Sequence, residues 1–375
     1  MTDVKRPRIA FLLSSLKFGG AERVALNLAH ALKGQGYEID FVLMQAEGEL
    51  LDEAARNFNT VDLHCSRTWK LPGRLARYLA RTRPVGLVSS FWKLNLCACV
   101  ARVFVMGTRL ALWEHSPPSR SRNSPIWLYF LTASLFYRLA TCVVAVSRGV
   151  ADDVRATTVG LGPKIVTIFN AVPGPYHRAA ARPQNPARRI IWVGRFAEPK
   201  NPELIIEAFA RLPAARGYVL TMLGDGPLRP ELEERSSRLG LGERVRFLGF
   251  QSDVYAHMAQ ADLLVSTSDR EGLPTVLIEA LHAGIGVVAT DSGLAVREIL
   301  LDGTYGTIVP VNDAVALAGA IVQELAGSRN CDTQRRGAMR FDPALVAREF
   351  VQAMGFGGAL DPRASLAEMD GGLGS

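Results

Sequence analysis

The feature that most restricts what this chain can fold into is a strand–helix–strand rhythm that runs, breaks once and starts again. Residues 8–14 and 38–44 are short apolar runs, and 21–32 between them places apolar residues at helical intervals. Further short apolar runs follow at 86–90, 109–113, 142–146 and 164–169. Runs of that length, separated by amphipathic stretches instead of two-residue turns, predict a parallel sheet whose crossovers are helices. The rhythm is lost at 173–186, where Pro, Gly, Ala and Arg dominate. It resumes with runs at 189–193, 218–223, 245–247, 263–266, 286–289 and 306–308, and helical patterns at 202–210 and 230–239. The fold class is therefore α/β, with two Rossmann-like doubly wound domains at 1–172 and 188–342 joined by a hinge linker at 173–187. Residues 343–356 read as a closing helix, and 357–375 as a Gly-rich disordered tail. A length of 375 residues, at roughly 100–200 residues per domain, agrees with two domains.

Composition narrows the class of protein. The chain is 48% hydrophobic and 21% charged, which excludes an intrinsically disordered protein. Five cysteines, Cys65, Cys97, Cys99, Cys142 and Cys331, have no pair-plus-pair spacing that would close a zinc site or a disulfide framework. A reducing, cytoplasmic compartment is the expectation. The apolar run at 9–13 is followed by Gly19 and Gly20 instead of a long apolar region and cleavage site, so it reads as a buried first strand.

Charge is unevenly spread. Through residue 180 there are 23 Lys and Arg against 12 Asp and Glu, a net of +11, whereas the remainder has 20 against 24, a net of −4. Such asymmetry points to an anionic partner, nucleic acid or an anionic membrane surface, with plain solubility as the other explanation. No basic repeat with interleaved aromatics of the single-strand-binding kind is present, so nucleic acid is not expected. The stretch 126–146 is apolar enough to raise a membrane span. Arg138 interrupts it, Trp127, Phe130, Leu131, Leu135 and Leu139 recur at helical intervals, and 142–146 reads as a strand. A helix followed by a strand accounts for the pattern. That helix reads first as a core helix; beside Arg120, Arg122 and Arg138, docking into a membrane interface is the alternative.

Four clusters carry candidate chemistry. The first is 270–280, Arg-Glu-Gly-Leu-Pro-Thr-Val-Leu-Ile-Glu-Ala, just after an apolar strand. Pro274 is tolerated at a helix start, where its missing N–H costs nothing. The free amides of Leu273, Thr275 and Val276 would then point outward and hold a phosphate. Glu279 would accept hydrogen bonds from neighbouring hydroxyls such as those of ribose, and Glu271 would reach a transferred sugar. In the second cluster Arg195 and Lys200 stand five positions apart on a loop after a strand, a spacing suited to a diphosphate leaving group; alone they read as surface cations. Gly19 and Gly20, in Lys17-Phe18-Gly19-Gly20-Ala21-Glu22-Arg23, form the third and allow close backbone approach to a phosphate or sugar, but lack the spaced three-glycine dinucleotide fingerprint. Last, His115 follows Trp113-Glu114 at the carboxyl end of a strand, the edge where open α/β sheets bind ligands; a lone histidine there is more often structural.

Together these residues resemble the family-4 glycosyltransferases, retaining enzymes of GT-B architecture with two Rossmann-like domains facing each other across a cleft. The likeness runs from Gly19-Gly20-Ala21-Glu22 through Ala145-Val146-Ser147 and Phe169-Asn170-Ala171-Val172 to Asp302-Gly303, and its most specific element is Glu271, seven residues, Glu279. Arg195 and Lys200 match the family's diphosphate-binding pair, His115 its donor-sugar histidine and Gly20 its phosphate-crowding glycine. The resemblance implies transfer with retention by front-face attack, no metal and no cofactor. It implies a nucleotide diphosphate sugar as donor, a UDP-sugar favoured over GDP-mannose. The basic, aromatic-rich first half favours a glycan acceptor carried on a membrane lipid, at the cytoplasmic face of the inner membrane. Asp269-Arg270 and Ser292-Gly293-Leu294 depart from the family's usual residues and leave the donor sugar open. The competing readings are a nucleotide-sugar epimerase or phosphorylase on the same fold, or an inactive sugar-nucleotide-binding protein.

Overall fold

The computed structural model describes residues 6–17, 19–120, 125–174, 188–327 and 330–356. The first lobe alternates β1 (Arg8–Leu13), α1 (Gly20–Gly34), β2 (Glu38–Leu43), α2 (Leu51–Asn57), β3 (Asn59–Asp62), α3 (Leu71–Thr82) and β4 (Gly86–Ser90). It continues with α4 (Trp92–Phe104), β5 (Arg109–Glu114), α5 (Ile126–Phe136), β6 (Cys142–Ala145), α6 (Arg148–Ala156) and β7 (Ile165–Thr167). The second lobe runs β8 (Arg189–Val193), α7 (Pro202–Ala210), β9 (Val219–Leu223), α8 (Arg229–Arg238), β10 (Val245–Gly249), α9 (Val254–Met258), β11 (Leu263–Ser266) and α10 (Thr275–Ala283). After these come β12 (Gly286–Thr290), α11 (Leu294–Leu300), β13 (Thr307–Val309), α12 (Ala314–Ala326), α13 (Cys331–Ala338) and α14 (Pro343–Ala353).

All strand pairings are parallel. The seven-stranded sheet has the order β3-β2-β1-β4-β5-β6-β7 and the six-stranded sheet β10-β9-β8-β11-β12-β13. Central strands are buried from both sides, which is why they read as unbroken apolar runs. Successive residues of β8 serve different cores: Ile190 and Trp192 join the cluster under α7 and α12, while Ile191 joins the one continuous with the first lobe. The edge strand β3, Asn-Thr-Val-Asp, escaped the sequence reading because it is short, polar and at least partly exposed along its length.

Strand order places the clefts. In each sheet the winding reverses at one point, between β1 and β4 in the first and between β8 and β11 in the second. Loops leaving the carboxyl ends of two such strands diverge and leave a crevice, the general ligand position of open α/β sheets. Cluster by cluster, Gly19 and Gly20 follow β1, Arg195 and Lys200 follow β8, and Glu271 follows β11.

The last helix does not close the second lobe. Helix α14 packs on α1 of the first lobe, where Phe350 lies edge-on to Trp113 with ring centroids 5.0 Å apart. Arg109 Nη1 donates to Met354 O at 2.9 Å, and Gln35 Nε2 to Ala344 O at 2.9 Å. The chain thus crosses between lobes twice, and of the linker at 173–187 only Pro173 and Gly174 are described. The tail at 357–375 also lies outside the described residues.

One backbone approach holds the second lobe's loops in place. Gly224, at φ +128°, lies so close to β8 that a Cβ there would stand 1.9 Å from the carbonyl oxygen of Gly194. A side chain in that backbone region costs about 1–3 kcal/mol before any clash, and each kcal/mol moves the melting point of a domain this size by about 2–4 °C. Gly224→Ala is therefore expected to lower the melting temperature by roughly 5 °C or more in calorimetry; an unchanged melting point would contradict the packing described.

Candidate active site

The two switch-point loops of the second lobe are laced together before they present any charge. Trp192 Nε1 donates to Thr267 Oγ1 at 2.9 Å, and Thr267 Oγ1 donates in turn to the carbonyl of Lys200 at 2.9 Å. The amide of Asp269 donates to Pro199 O at 3.1 Å. Asn201 sits in the left-handed region, φ +44°, which asparagine tolerates better than most residues, and its amide donates to Asp269 Oδ1 at 2.9 Å. The loops after β8 and β11 are thereby one unit. Lys200 Nζ pairs with Glu271 Oε1, which also accepts from Ser268 Oγ at 2.8 Å. Ser268 is held from below, because its carbonyl accepts from Thr290 Oγ1 at 2.6 Å.

The helix that follows begins at the same place. Pro274 is the N-cap of α10 and Gly284, at φ +72°, its C-cap. The first-turn amides of Thr275 and Val276 precede the intrahelical ladder and face the end of the helix. One turn on, Glu279 is partly buried; desolvation raises its pKa to about 7, with the positive charges of Lys200 and Arg23 pulling the other way. Arg23 belongs to α1 of the first lobe and is fastened by Glu53 Oε1 at 2.7 Å. Glu279 therefore senses cations from both lobes.

The Arg195 side chain is exposed, with no hydrogen bond or ion pair among the described residues, although its carbonyl accepts from Ala197 N at 2.8 Å. Its loop is nonetheless fixed. Phe196 N donates to Asp225 O at 3.0 Å, Leu228 N to Phe196 O at 3.1 Å, and a Cβ at Gly226 would stand 2.4 Å from Phe196 O. The sequence reading missed this Gly224-Asp225-Gly226-Pro227 turn, although a Gly-x-Gly-Pro just after the apolar run at 218–223 is a signal of close backbone approach.

The first lobe supplies the facing wall. His115 follows β5, its ring 4.6 Å from that of Trp113 and 5.5 Å from that of Phe91, with Nε2 3.3 Å from Ser90 Oγ. Desolvation in this setting pushes its pKa down to about 3, so the imidazole is neutral at physiological pH. Phe91 holds φ +72° at the carboxyl end of β4, a strained value for an aromatic residue, at the switch point of the first sheet. Gly19 caps α1, and a Cβ there would meet Glu22 Oε2 at 2.3 Å. Among the described residues nothing lies within 4 Å of a Cβ placed at Gly20, which leaves space beside the first turn of α1.

The two walls touch at Gly272. A Cβ on it would lie 1.9 Å from the carbonyl oxygen of His115, and its own carbonyl accepts from Ser147 Oγ at 3.0 Å. Nearby, the amide of Arg148 donates to Glu298 Oε1 at 2.9 Å. The structure thus brings His115, Lys200, Glu271, Glu279 and the start of α10, with Leu273 buried beneath it, to one seam. Among the described residues no group of three or more His, Cys, Asp or Glu side chains is arranged to hold a metal ion.

Two Rossmann-like lobes with their switch points turned to a shared cleft define the GT-B architecture. The chain superposes on a glycosyltransferase from Rickettsia africae with a TM-score of 0.79 at 18% identity, over 93% of this chain and 98% of that one. It superposes on Anabaena HepE in complex with UDP with a TM-score of 0.77 at 20% identity, over 92% and 99%. A family model for Glycosyltransferase Family 4 matches residues 18–173, and one for Glycosyl transferases group 1 matches 187–326. From Campylobacter jejuni, N-acetylgalactosamine-N,N'-diacetylbacillosaminyl-diphospho-undecaprenol 4-alpha-N-acetylgalactosaminyltransferase is 30% identical over 91% of this chain and 98% of its own length. An alpha-1,4-N-acetyl-D-galactosaminyltransferase of the same organism is 26% identical over 83% and 87%. The chain belongs to glycosyltransferase family 4.

Because a Cβ at Gly272 cannot coexist with the His115 carbonyl, Gly272→Ala is expected to push the lobes apart. Misplacing reacting groups by about 1 Å costs on the order of a hundredfold in rate. The variant should show a larger radius of gyration in solution scattering and a loss of turnover of that order; an equally compact, fully active variant would show that the contact at Gly272 is dispensable.

Proposed function

We propose that this enzyme is a retaining, metal-independent glycosyltransferase that moves a hexose or N-acetylhexosamine from a UDP-sugar to a glycan carried on a polyprenyl diphosphate. Its place is the cytoplasmic face of the inner membrane, in cell-envelope or exopolysaccharide synthesis. The observation that carries the reading is the convergence of Lys200, Glu271 and the first turn of α10 at the second sheet's switch point, facing His115 across the seam. The acceptor class is supported by the diphospho-undecaprenol named for the Campylobacter jejuni relatives, and the donor base by the UDP bound to Anabaena HepE.

In this reading the pyrophosphate rests on the amides of Leu273, Thr275 and Val276, with Lys200 and Arg195 on its oxygens. Two unit charges about 4 Å apart attract by about 4 kcal/mol at an effective dielectric of about 20, and the attraction grows as the leaving group gains charge. The Lys200–Glu271 ion pair keeps both groups in place until the donor arrives. Lys200 then takes phosphate and Glu271 a sugar hydroxyl. Glu279 accepts from the ribose hydroxyls, neutral His115 hydrogen-bonds the sugar, and Gly20 leaves room for phosphate. The bond between the anomeric carbon and the β-phosphate oxygen breaks as the acceptor oxygen arrives on the same face. Its proton passes to the departing phosphate oxygen, and UDP leaves. Relative motion of the two lobes admits the substrates, and closure excludes the water that would hydrolyse the donor.

Incubated with UDP-hexoses and UDP-N-acetylhexosamines and a polyprenyl-diphosphate-linked glycan, the enzyme is expected to release UDP and yield an acceptor one sugar heavier by mass spectrometry, the donor's anomeric configuration kept. Lys200→Ala should slow this by about a hundredfold or more, as loss of an oxyanion donor does, with an unchanged melting curve. Interconversion of free nucleotide sugars without an acceptor would make it an epimerase, and binding without turnover on any donor a non-catalytic protein.

The raised pKa of Glu279, about 7, gives a second test. A carboxyl whose folded pKa lies above its unfolded value favours the fold most below the unfolded pKa, and that contribution is lost as pH rises through 7. Donor binding runs the other way, since the ribose is held by the ionised form. Affinity for UDP-glucose, which has no titrating phosphate in this range, should weaken by up to about tenfold per pH unit below 7. In Glu279→Gln titration calorimetry should find weak, pH-independent binding; a pH profile identical to that of the unsubstituted enzyme would remove Glu279 from the donor site.

A further inference from the structure

Helix α5 is in the wrong solvent. Its sequence, Ile-Trp-Leu-Tyr-Phe-Leu-Thr-Ala-Ser-Leu-Phe, is apolar on nearly every face, the pattern of a helix surrounded by other apolar groups. Yet only Tyr129 and Ala133 are buried, and Trp127, Leu131 and Leu135 are 64%, 59% and 61% exposed. The expectation that this is a core helix is therefore overturned: its inner edge alone meets the protein. The exposed surface continues past the helix. α5 lies beside α4, with Trp92 Nε1 donating to Thr132 Oγ1 at 3.1 Å and the Arg102 guanidinium to the carbonyl of Leu139. The end of α4 then adds Phe104 at 74% and Met106 at 93% exposed. Exposed apolar side chains gathered on two neighbouring helices of a folded protein mark a site of interaction.

Charge identifies the partner. From residue 63 to residue 151 the chain has thirteen Lys and Arg and a single acid, Glu114. Glu114 does not offset them at the surface: it is buried, and desolvation raises its pKa to about 7. Several of these cations lie on neighbouring elements: Arg74, Arg77 and Arg81 on α3, which packs on α4, and Arg138 just beyond α5. Trp127 and Trp69, both exposed, are side chains suited to the boundary between water and hydrocarbon. An apolar helix that itself carries no acid, in a stretch of chain where cations far outnumber acids, complements a surface that is negative at the top and hydrocarbon beneath. No helix among the described residues is long and apolar enough to cross a membrane, so the helix would lie in the surface, not through it.

We propose that α5 and the end of α4 form a docking face that seats this enzyme on an anionic lipid bilayer. The inference rests on the lipid-linked acceptor of the proposed function and adds where the bilayer meets the protein. Position fits that use. The turn after α5 and helix α4 reach the site's own strand: Tyr137 Oη donates to Glu114 Oε1 at 2.5 Å, and Asn95 Nδ2 of α4 donates to the same oxygen at 3.1 Å. Glu114 directly precedes His115. One helix thickness, about 10 Å, therefore separates the docking face from the strand that carries the cleft wall.

The test is flotation of the purified chain with phosphatidylglycerol-containing vesicles and with neutral phosphatidylcholine vesicles. The enzyme is expected to float with the anionic vesicles, less so as salt is raised, and only weakly with the neutral ones. Trp127→Glu, Leu131→Glu and Leu135→Glu should each lower the partition coefficient by about tenfold, the transfer cost of one apolar side chain. Turnover on a short, water-soluble acceptor should be unchanged, which also shows that the variants fold. A fluorophore at Leu131→Cys in a Cys331→Ser background should shift to the blue on adding anionic vesicles, whereas one at Val315→Cys, exposed on α12, should not. Absence of flotation at any salt concentration overturns the proposal. So does flotation that the three substitutions leave intact, or light scattering that shows a dimer which the same substitutions dissociate. Flotation without sugar transfer would leave the docking face standing and remove the transferase reading instead.

Discussion

The molecule depends on one approach that has no room for a side chain. The carbonyl oxygen of His115 occupies the place where a Cβ of residue 272 would be, and Ser147 fastens the carbonyl of Gly272. Glycine there is a requirement of two lobes at once, since the first provides the obstacle and the second the chain that passes it. That contact sets the register between the walls. The loop carrying Glu271 cannot slide along the seam without driving backbone into backbone, which packed atoms resist steeply. Everything placed by that loop inherits its position, including the start of α10 one residue beyond Pro274.

Charge organisation follows the same logic. Lys200 and Glu271 are 71 residues apart and meet because Thr267, Asp269 and Asn201 bind their loops into one unit. A lysine held by a carboxylate is already oriented and partly stripped of water when an anion arrives, so less reorganisation is required at that moment than for a free side chain. Arg195, exposed and without a partner among the described residues, lacks that preparation. The two cations that look alike in sequence therefore differ in readiness, one fixed by its loop and the other free to close on a ligand.

What could be read from the sequence was whatever depends on local pattern. The apolar runs at 86–90, 189–193 and 263–266 are strands with those bounds, and 202–210 is a helix, because short runs buried on both sides have few other solutions. β3 was invisible since an edge strand of Asn-Thr-Val-Asp has no apolar period to detect. The closing helix was visible as a helix but not as a partner of α1, because periodicity says that one face is buried and not against what. The Lys200–Glu271 pair is beyond such reasoning for the same cause: no local pattern encodes a meeting across two loops. His115 stood out only by lying at a strand's carboxyl end, and its neutral state needed the packing of Phe91 and Trp113 to be seen.

The same limit explains α5, and turns it to account. An apolar helix and a buried helix look identical in sequence, since composition records what a segment avoids and not what it touches. The structure separates the two cases by leaving Trp127, Leu131 and Leu135 uncovered. Stability within the fold gains little from those side chains, for exposed apolar surface is unfavourable in water by about 25 cal/mol per Å². Their apolar character must be offset by some other environment, and the surrounding charge restricts which. A protein partner would need a dense acidic face to meet the cations of residues 63–151, whereas an anionic bilayer presents negative headgroups above hydrocarbon as a matter of course. The proposed docking face gives the asymmetry of charge and the exposure of α5 one physical account, in which the basic lobe would be the side that faces the lipid of the proposed acceptor.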